Sequence, residues 1–135
     1  MNPIEQQLVG ASFARVAIMP EVAAALFYER LFSINPGFRQ LFAHDMRTQG
    51  VKFMAMLAII VYNLHQPGET LSAIQDLAKR HVEYGVTLAD YDALKDALMW
   101  TLEQALGEDF TPEVRGAWVV CYQELAAEMK SAAGV

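Results

Sequence analysis

Residues 71–84 of the chain read LSAIQDLAKRHVEY, and this stretch decides the fold. At about 100° per residue, its apolar side chains share one arc of a helix and its charged side chains lie opposite. His81 lies in the middle of the apolar arc, which consists of Leu71, Ile74, Leu77, Ala78 and Val82. A neutral imidazole that faces a protein core has to form a hydrogen bond or bind a ligand. The stretch therefore predicts an amphipathic helix whose histidine is either a hydrogen-bonded core residue or a ligand to a bound group.

The rest of the chain also reads as helix. Good helix formers dominate, and no short segment alternates between apolar and polar side chains in the way a strand does. Proline and glycine mark the expected boundaries. The predicted helices are Pro3 to about Ile18, Pro20 to about Ser33, a short turn from Pro36 to Leu41, Thr48 to Leu64, Leu71 to Tyr84, Ala89 to Leu106 and Pro112 to Met129. We expect one all-α domain over residues 1–135, with more helices than a four-helix bundle needs.

Composition and charge exclude several classes of protein. Apolar residues make up 54% of the chain, which is enough for a core and for a pocket that takes an apolar ligand. The net charge of −6 argues against a nucleic-acid partner, which would require a basic face. Cys121 is the single cysteine, so no internal disulfide forms, and its apolar surroundings predict an inert buried thiol. The first residues have no signal-peptide pattern and the longest apolar run is about half a membrane span, so we expect a cytoplasmic protein with no membrane contact.

Two further polar side chains share faces with apolar ones. Tyr28 lies among alanine, leucine and phenylalanine residues of the second helix, and Gln49 lies on the apolar stripe of the long helix. Each has an ordinary interpretation, since structural tyrosines are common and an amide near a helix end often reaches solvent. Together with His81, however, they bring a phenol, an amide and an imidazole into one apolar interior. This combination favours a binding site.

Metal and catalytic templates narrow the chemistry. Zinc requires three or four clustered ligands, and the histidines and the cysteine of this chain are scattered without ligand spacing. The sequence has neither a nucleophile motif beside a histidine nor a glycine-rich phosphate loop. A single axial histidine is what haem iron uses, because the porphyrin supplies four ligands.

The order of these residues resembles the globin family. Pro36 follows Tyr28 by eight residues, Phe42 follows by six more, and Gln49, Lys52 and Phe53 come next. Residues 80–86 (RHVEYGV) resemble a proximal segment, Tyr91 lies ten residues beyond His81, and Trp118 and Tyr122 fit the last helix. Over nearly its whole length the chain is similar to the bacterial single-domain haemoglobins of the Vitreoscilla and Hell's Gate types, and to the haem domain of flavohaemoglobins.

The resemblance implies a three-on-three helical sandwich around haem b (iron protoporphyrin IX), with His81 as the iron ligand. The second ring nitrogen of His81 should donate to a backbone carbonyl, which orients the ring. Tyr28 and Gln49 would donate hydrogen bonds to dioxygen, each worth about 1 kcal/mol, which predicts high affinity. Phe42 would pack on the porphyrin. The other expected contacts of the haem are Phe53, Leu77, Val86 and Tyr91, together with Lys52 and Arg80, which would either bind the propionates or remain solvated.

The chain departs from the family pattern at several positions. Flavohaemoglobins couple the histidine and the tyrosine to a glutamate of the last helix, and Ala133 occupies that place here, so we expect weaker oxygen activation. Phe53 is larger than the expected aliphatic residue and narrows access to the ligand. His44 either approaches a propionate or lies in a surface loop, and His65 should be exposed. The sequence ends before a flavin or NADH segment, so we expect reduction by a separate reductase.

Four functions are compatible with these residues. The leading hypothesis is reversible binding of dioxygen, with carbon monoxide and nitric oxide as further diatomic ligands, by a monomer or weak dimer. The alternatives are nitric oxide dioxygenation with a separate reductase, haem-based gas sensing, and a haem-free helical signalling domain. Only the last predicts a protein without a haem absorption band.

Overall fold

The computed structural model describes residues 1–42, 45–66, 68, 71–83, 86–87 and 89–134, with the backbone alone for Leu41, Leu71, Glu83 and Ala133. The interpretation of His44 and the predicted helix end at Tyr84 therefore lie outside the described residues. The described elements are α1 (Pro3–Val16), α2 (Pro20–Ile34), a 3₁₀ helix (Pro36–Leu41), α3 (Met46–Tyr62), α4 (Leu71–Glu83), α5 (Asp90–Leu106), a 3₁₀ turn (Gly107–Asp109) and α6 (Pro112–Ala133). The all-α prediction is confirmed.

Helix starts follow the predicted capping chemistry. Asn2 and Glu5 form a reciprocal capping box at α1, in which each side chain accepts a backbone N–H of the other residue at 2.8 Å. Thr111 accepts the backbone N–H of Val114 at 3.3 Å at the start of α6. Because these bonds satisfy donors that a helix leaves free, they fix where α1 and α6 begin.

Several helix boundaries differ from the sequence-based expectation; for example, α1 ends at Val16 instead of Ile18 and α3 at Tyr62 instead of Leu64. α3 begins at Met46 instead of Thr48, because the Asp45 side chain caps it by accepting the Arg47 backbone N–H at 3.1 Å. α6 continues past Met129 to Ala133 and ends at Gly134, whose φ of +79° suits glycine. Lys130, which follows the predicted helix end at Met129, is therefore part of α6.

The helices pack in two layers around a main core and a smaller second cluster. α2 contacts α5 and α3, while α6 contacts α1 and α4. At the centre of the main core, Trp118 is 1% exposed and its indole Nε1–H donates to Ser12 Oγ at 2.8 Å. The second cluster contains Ile74 and Ala78 of α4, Tyr91 of α5, and Ala126 and Met129 of α6. The architecture is a three-on-three helical sandwich.

A close approach of two backbones positions α3 on α2. A Cβ built on Gly50 would lie 3.0 Å from the Cβ of Ala24, closer than ordinary van der Waals contact, so glycine favours this close approach. Tyr28 lies one helical turn beyond Ala24, and Gln49 immediately precedes Gly50. The small pair therefore sets the distance between the two polar residues that the sequence placed on these helices.

The buried face of α4 is narrower than the apolar arc predicted from the sequence. Ile74 and Ala78 are buried against α6, and Leu77 and His81 are partly buried. Val82, which the helical periodicity assigns to the apolar arc, is 54% exposed, so that assignment is wrong. Val82 lies at the edge of the arc farthest from Leu77, beyond the reach of α6 packing.

Among the described helices, none alone is long and apolar enough to span a membrane. α1 and α2 meet that criterion only when taken together, across a bend of 102°.

Candidate cofactor pocket

A cavity of about 420 Å³ lies between the two layers. This volume is in the range of pockets for cofactors and small molecules. Its walls are mostly aliphatic and aromatic. The cavity brings together all ten residues that the sequence singled out: Tyr28, Phe42, Gln49, Lys52, Phe53, Leu77, Arg80, His81, Val86 and Tyr91.

His81 presents one ring nitrogen to the cavity wall and leaves the other available. Its Nδ1 lies 2.9 Å from the Leu77 carbonyl oxygen, one helical turn back. A carbonyl only accepts, so Nδ1 carries the proton and Nε2 keeps its lone pair. Burial lowers the pKa of His81; the hydrogen bond to the Leu77 carbonyl opposes this by a smaller amount, and the nearby Arg80 charge lowers the pKa further. The side chain is thus a neutral imidazole, in the tautomer that a metal ligand requires.

The loop after α4 is tied to the same residue. The backbone N–H of Val86 donates to the His81 carbonyl at 2.9 Å, which places Val86 in the wall of the cavity. Leu77 and Val86 thus both contact the cavity close to the imidazole. His81 is held by its ring through Leu77 and by its backbone through Val86.

Tyr28 and Gln49 form a polar pair in an otherwise apolar wall. Tyr28 is 7% exposed, and burial raises the pKa of its phenol to about 12, against a smaller opposing effect of a hydrogen bond from Gln49. The Tyr28 O–H therefore remains protonated and free to donate to a ligand.

Aromatic rings surround this pair. Phe53 stacks on Phe27 with ring centroids 4.2 Å apart and meets the Tyr28 ring edge-on at 5.8 Å. Phe42, at the end of the 3₁₀ helix Pro36–Leu41, meets Tyr28 at 5.3 Å and Phe32 at 5.8 Å. Edge-to-face contacts of this kind fix ring orientation. Phe53 is thus held by its stack on Phe27 and fills part of the wall beside Tyr28.

The α5–α6 side of the cavity carries two tyrosines and a lysine. Tyr91 is 6% exposed, and burial raises the pKa of its phenol. Tyr122 donates its O–H to the Tyr91 backbone carbonyl at 2.5 Å. Lys130 Nζ lies 5.2 Å from the centroid of the Tyr91 ring. Tyr91 of α5 thus contacts two residues of α6, Tyr122 through a hydrogen bond and Lys130 through its ring.

Two cations lie where the cavity meets solvent. Lys52 of α3 and Arg80 of α4 both line the cavity and are exposed. They lie on different helices, so a group bound between α3 and α4 with acidic substituents at its outer edge would find a cation on each side. His65 is exposed, as predicted, and does not line the cavity.

Some residues of the cavity wall were not predicted from the sequence. Phe38 of the 3₁₀ helix and the α6 residues Tyr122, Ala126 and Met129 line the cavity. The three α6 residues lie four or three positions apart, which is the spacing of one helix face. That spacing was a usable signal, but it does not reveal that the face turns toward α4.

The residues fit an iron porphyrin. The walls are apolar, a neutral imidazole has a free Nε2, and two cations lie at the open edge. Among the described side chains, none forms a hydrogen bond with that Nε2.

Comparison with known proteins gives a consistent assignment. A sequence model of the family described as Globin matches residues 25–129. The chain is 28% identical to the flavohemoprotein of Bordetella pertussis over 93% of this chain and 32% of that protein. It is 30% identical to an anaerobic nitrite reductase of Oryza sativa subsp. indica over 96% of both. An engineered carbene transferase from Rhodothermus marinus has the same fold, with a TM-score of 0.90 and 24% identity over 99% of this chain and 94% of that one.

The chain spans about a third of the length of the flavohemoproteins that it matches. The likeness to the solved structure covers nearly all of both chains, so the predicted fold is confirmed as a globin fold.

Proposed function

Since the chain belongs to the globin family, we propose that it holds haem b in the cavity between its layers and binds dioxygen there reversibly. The observation that carries the proposal is the neutral imidazole of His81, whose Nδ1–H is engaged by the Leu77 carbonyl while Nε2 is left for a metal. When bound, ferrous haem supplies a coordination position for a diatomic gas.

The residues of this chain would divide the work of holding the cofactor. His81 would ligate the iron, with Leu77 as the acceptor that orients the ring. Phe42 would pack against the porphyrin, and Leu77, Val86 and Tyr91 would cover its apolar surface. Lys52 and Arg80 are placed to pair with the propionates, and in that position each exposed pair would contribute little to stability.

Tyr28 and Gln49 would act on the gas. The Tyr28 O–H is able to donate because burial raises the pKa of the phenol and keeps it protonated. Phe27, Phe42 and Phe53 surround this donor with apolar rings, and a hydrogen bond in apolar surroundings is stronger than in water. A gas that develops negative charge on binding is retained by these donors, which favours tight binding and slow release.

Nitric oxide dioxygenation with a separate reductase is the second candidate. It is supported by the likeness to flavohemoproteins and by Tyr91, which lies in the cavity wall. Against it stands Ala133, at the position where those proteins supply a glutamate. Reversible binding therefore ranks first, and turnover of nitric oxide over many cycles with a bacterial flavin reductase would reverse that order. Haem-based gas sensing would use the same pocket.

The proposal is tested by loading the protein with haem and recording ferric, ferrous and carbon monoxide-bound absorption spectra. The wild-type chain should show a Soret band that shifts with each state. His81→Ala should lose stable haem on gel filtration or on challenge with apomyoglobin, because it lacks the protein ligand. His65→Ala, which changes an exposed histidine outside the cavity, should retain haem fully.

Two results would contradict the proposal. A wild-type chain that folds, as judged by circular dichroism, but takes up no haem would favour the haem-free signalling domain. Equal haem retention by His81→Ala and His65→Ala would show that His81 is not the iron ligand.

A further inference from the structure

Lys130 of α6 lies next to the ring of Tyr91, a residue of the cavity wall. Its Nζ lies 5.2 Å from the centroid of the Tyr91 ring, within the distance at which a cation is attracted to an aromatic face. Lys130 is partly buried and lies in the last turn of α6, which the structure extends to Ala133. The same Tyr91 ring lines the cavity. One buried ring thus separates an ammonium group from the cofactor pocket.

Arg80 is a second cation near this wall, and Asp92 is a described acid whose charge acts on the neighbouring Tyr122. Arg80 precedes His81 on α4, lines the cavity and shifts the pKa of His81 downward. Among the side chains that the structure describes, no carboxylate contributes to the pKa shift of His81 or of Tyr91. Lys130 forms no ion pair with any described acid. The described charges that face Tyr91 and His81 themselves are therefore positive.

We propose that Lys130 is a positioning residue that makes the His81 side of the pocket electropositive through the face of Tyr91, and so stabilises ferrous over ferric haem. The inference rests on the proposed function, since it concerns the charge state of the bound cofactor. It adds a regulatory residue that neither the family pattern nor the sequence assigned.

The physical argument rests on charge. Ferric haem carries one more positive charge than ferrous haem, so a nearby ammonium raises the free energy of the ferric form more. The ammonium therefore favours the reduced cofactor. This is the state that reversible gas binding requires.

The test compares the haem midpoint potential of four variants under identical conditions. Lys130→Gln should shift the ferric-to-ferrous ratio at a fixed potential by roughly three- to tenfold toward ferric. Lys130→Glu should shift it further in the same direction, because it replaces the positive charge with a negative one. Lys130→Arg, which keeps a cation near the ring, should restore values close to wild type. Lys95→Gln removes the same charge from the surface of α5 outside this cavity and is the matched control.

The outcomes separate this inference from the proposed function. If wild type binds haem with His81 as ligand but Lys130→Gln and Lys95→Gln give the same potential, the role of Lys130 is refuted and the haem assignment stands. If wild type binds no haem, both fail. A fall in potential for Lys130→Gln that Lys130→Arg does not restore would show an effect of side-chain packing, and would also overturn the electrostatic role.

Discussion

Tyr28 has its ring in a cage of phenylalanines and its hydroxyl beside Gln49. A structural tyrosine in such a cage contributes mainly through its ring, whereas a ligand donor contributes through its O–H. These two roles are separable, because phenylalanine keeps the ring and removes only the hydroxyl.

Replacing Tyr28→Phe should therefore retain haem and speed the release of dioxygen. Loss of one hydrogen bond of about 1 kcal/mol corresponds to roughly a fivefold higher dissociation rate, and more if the bond is well aligned in the dry pocket. Stopped-flow displacement of dioxygen by carbon monoxide measures this rate. Tyr62→Phe is the control, since Tyr62 is 55% exposed and does not line the cavity. An unchanged rate in Tyr28→Phe would exclude Tyr28 as a ligand donor.

Residues of the pocket differ in how far sequence could predict them. Tyr28, Gln49 and His81 stand out because each is a polar side chain on an apolar face, and their order matches a known family. Helical periodicity assigns Val82 to the apolar arc, but the side chain is 54% exposed. Periodicity describes one helix alone and does not show how much of its face a neighbouring helix covers. Lys130 gives no signal, since a lysine near a helix end is ordinary until the ring in front of it is seen.

Helix α3 depends on α2 through the contact of Gly50 with Ala24. At 3.0 Å an added methyl group would be closer than ordinary van der Waals contact, and the atom it would meet is a Cβ that cannot rotate away. The two helices would have to separate. The separation would also move Gln49 away from Tyr28.

Gly50→Ala should therefore destabilise the fold, although alanine is the better helix former. The gain in helix propensity is about 1 kcal/mol and overpacking costs about 1–3 kcal/mol, so a net loss in the free energy of unfolding is expected. Gly116→Ala, in α6 with open space around the added Cβ, should gain stability instead. Urea denaturation of both variants measures the difference. Stabilisation of equal size in both variants would show that Gly50 and Ala24 are not in close contact.

At the level of helices, sequence predicts existence well and ends less well. Prolines at Pro3, Pro20 and Pro112 mark starts because proline suits a first helical turn. The sequence pattern places the start of α3 two residues late, since Asp45 resembles part of a polar connection more than a cap. A cap is recognised from the hydrogen bond that it accepts, which depends on backbone geometry.

The whole molecule has two cores of unequal size. The main cluster includes no buried residue from the described part of α4. The buried residues Ile74 and Ala78 of α4 belong to the second cluster. The sequence predicted the number and order of helices, and the family resemblance supplied their arrangement. Periodicity alone could not show that α4 packs chiefly on α6, because this contact joins segments about fifty residues apart.

This division predicts unequal protection from hydrogen exchange. Without haem, amides of residues 74–81 should exchange faster than those of residues 97–102 and 117–121, because local opening of α4 exposes little apolar surface. Haem should slow exchange in α4 by tying His81 to a ligand that binds only the folded state. Mass spectrometry of the apo and loaded protein gives both rates. Equal protection of α4 and α6 in the apo protein would contradict this view of the two cores.

The burial of the Tyr28 phenol among aromatic rings has a consequence for which gas the protein prefers. A hydrogen bond donated in such apolar surroundings is stronger than one donated in water. Dioxygen gathers negative charge when it binds to ferrous iron and gains from such a donor, whereas carbon monoxide stays closer to neutral and gains less. On the proposed function, the pocket thus discriminates between two molecules of nearly the same size by their polarity, and two residues held together by a glycine contact set that selectivity.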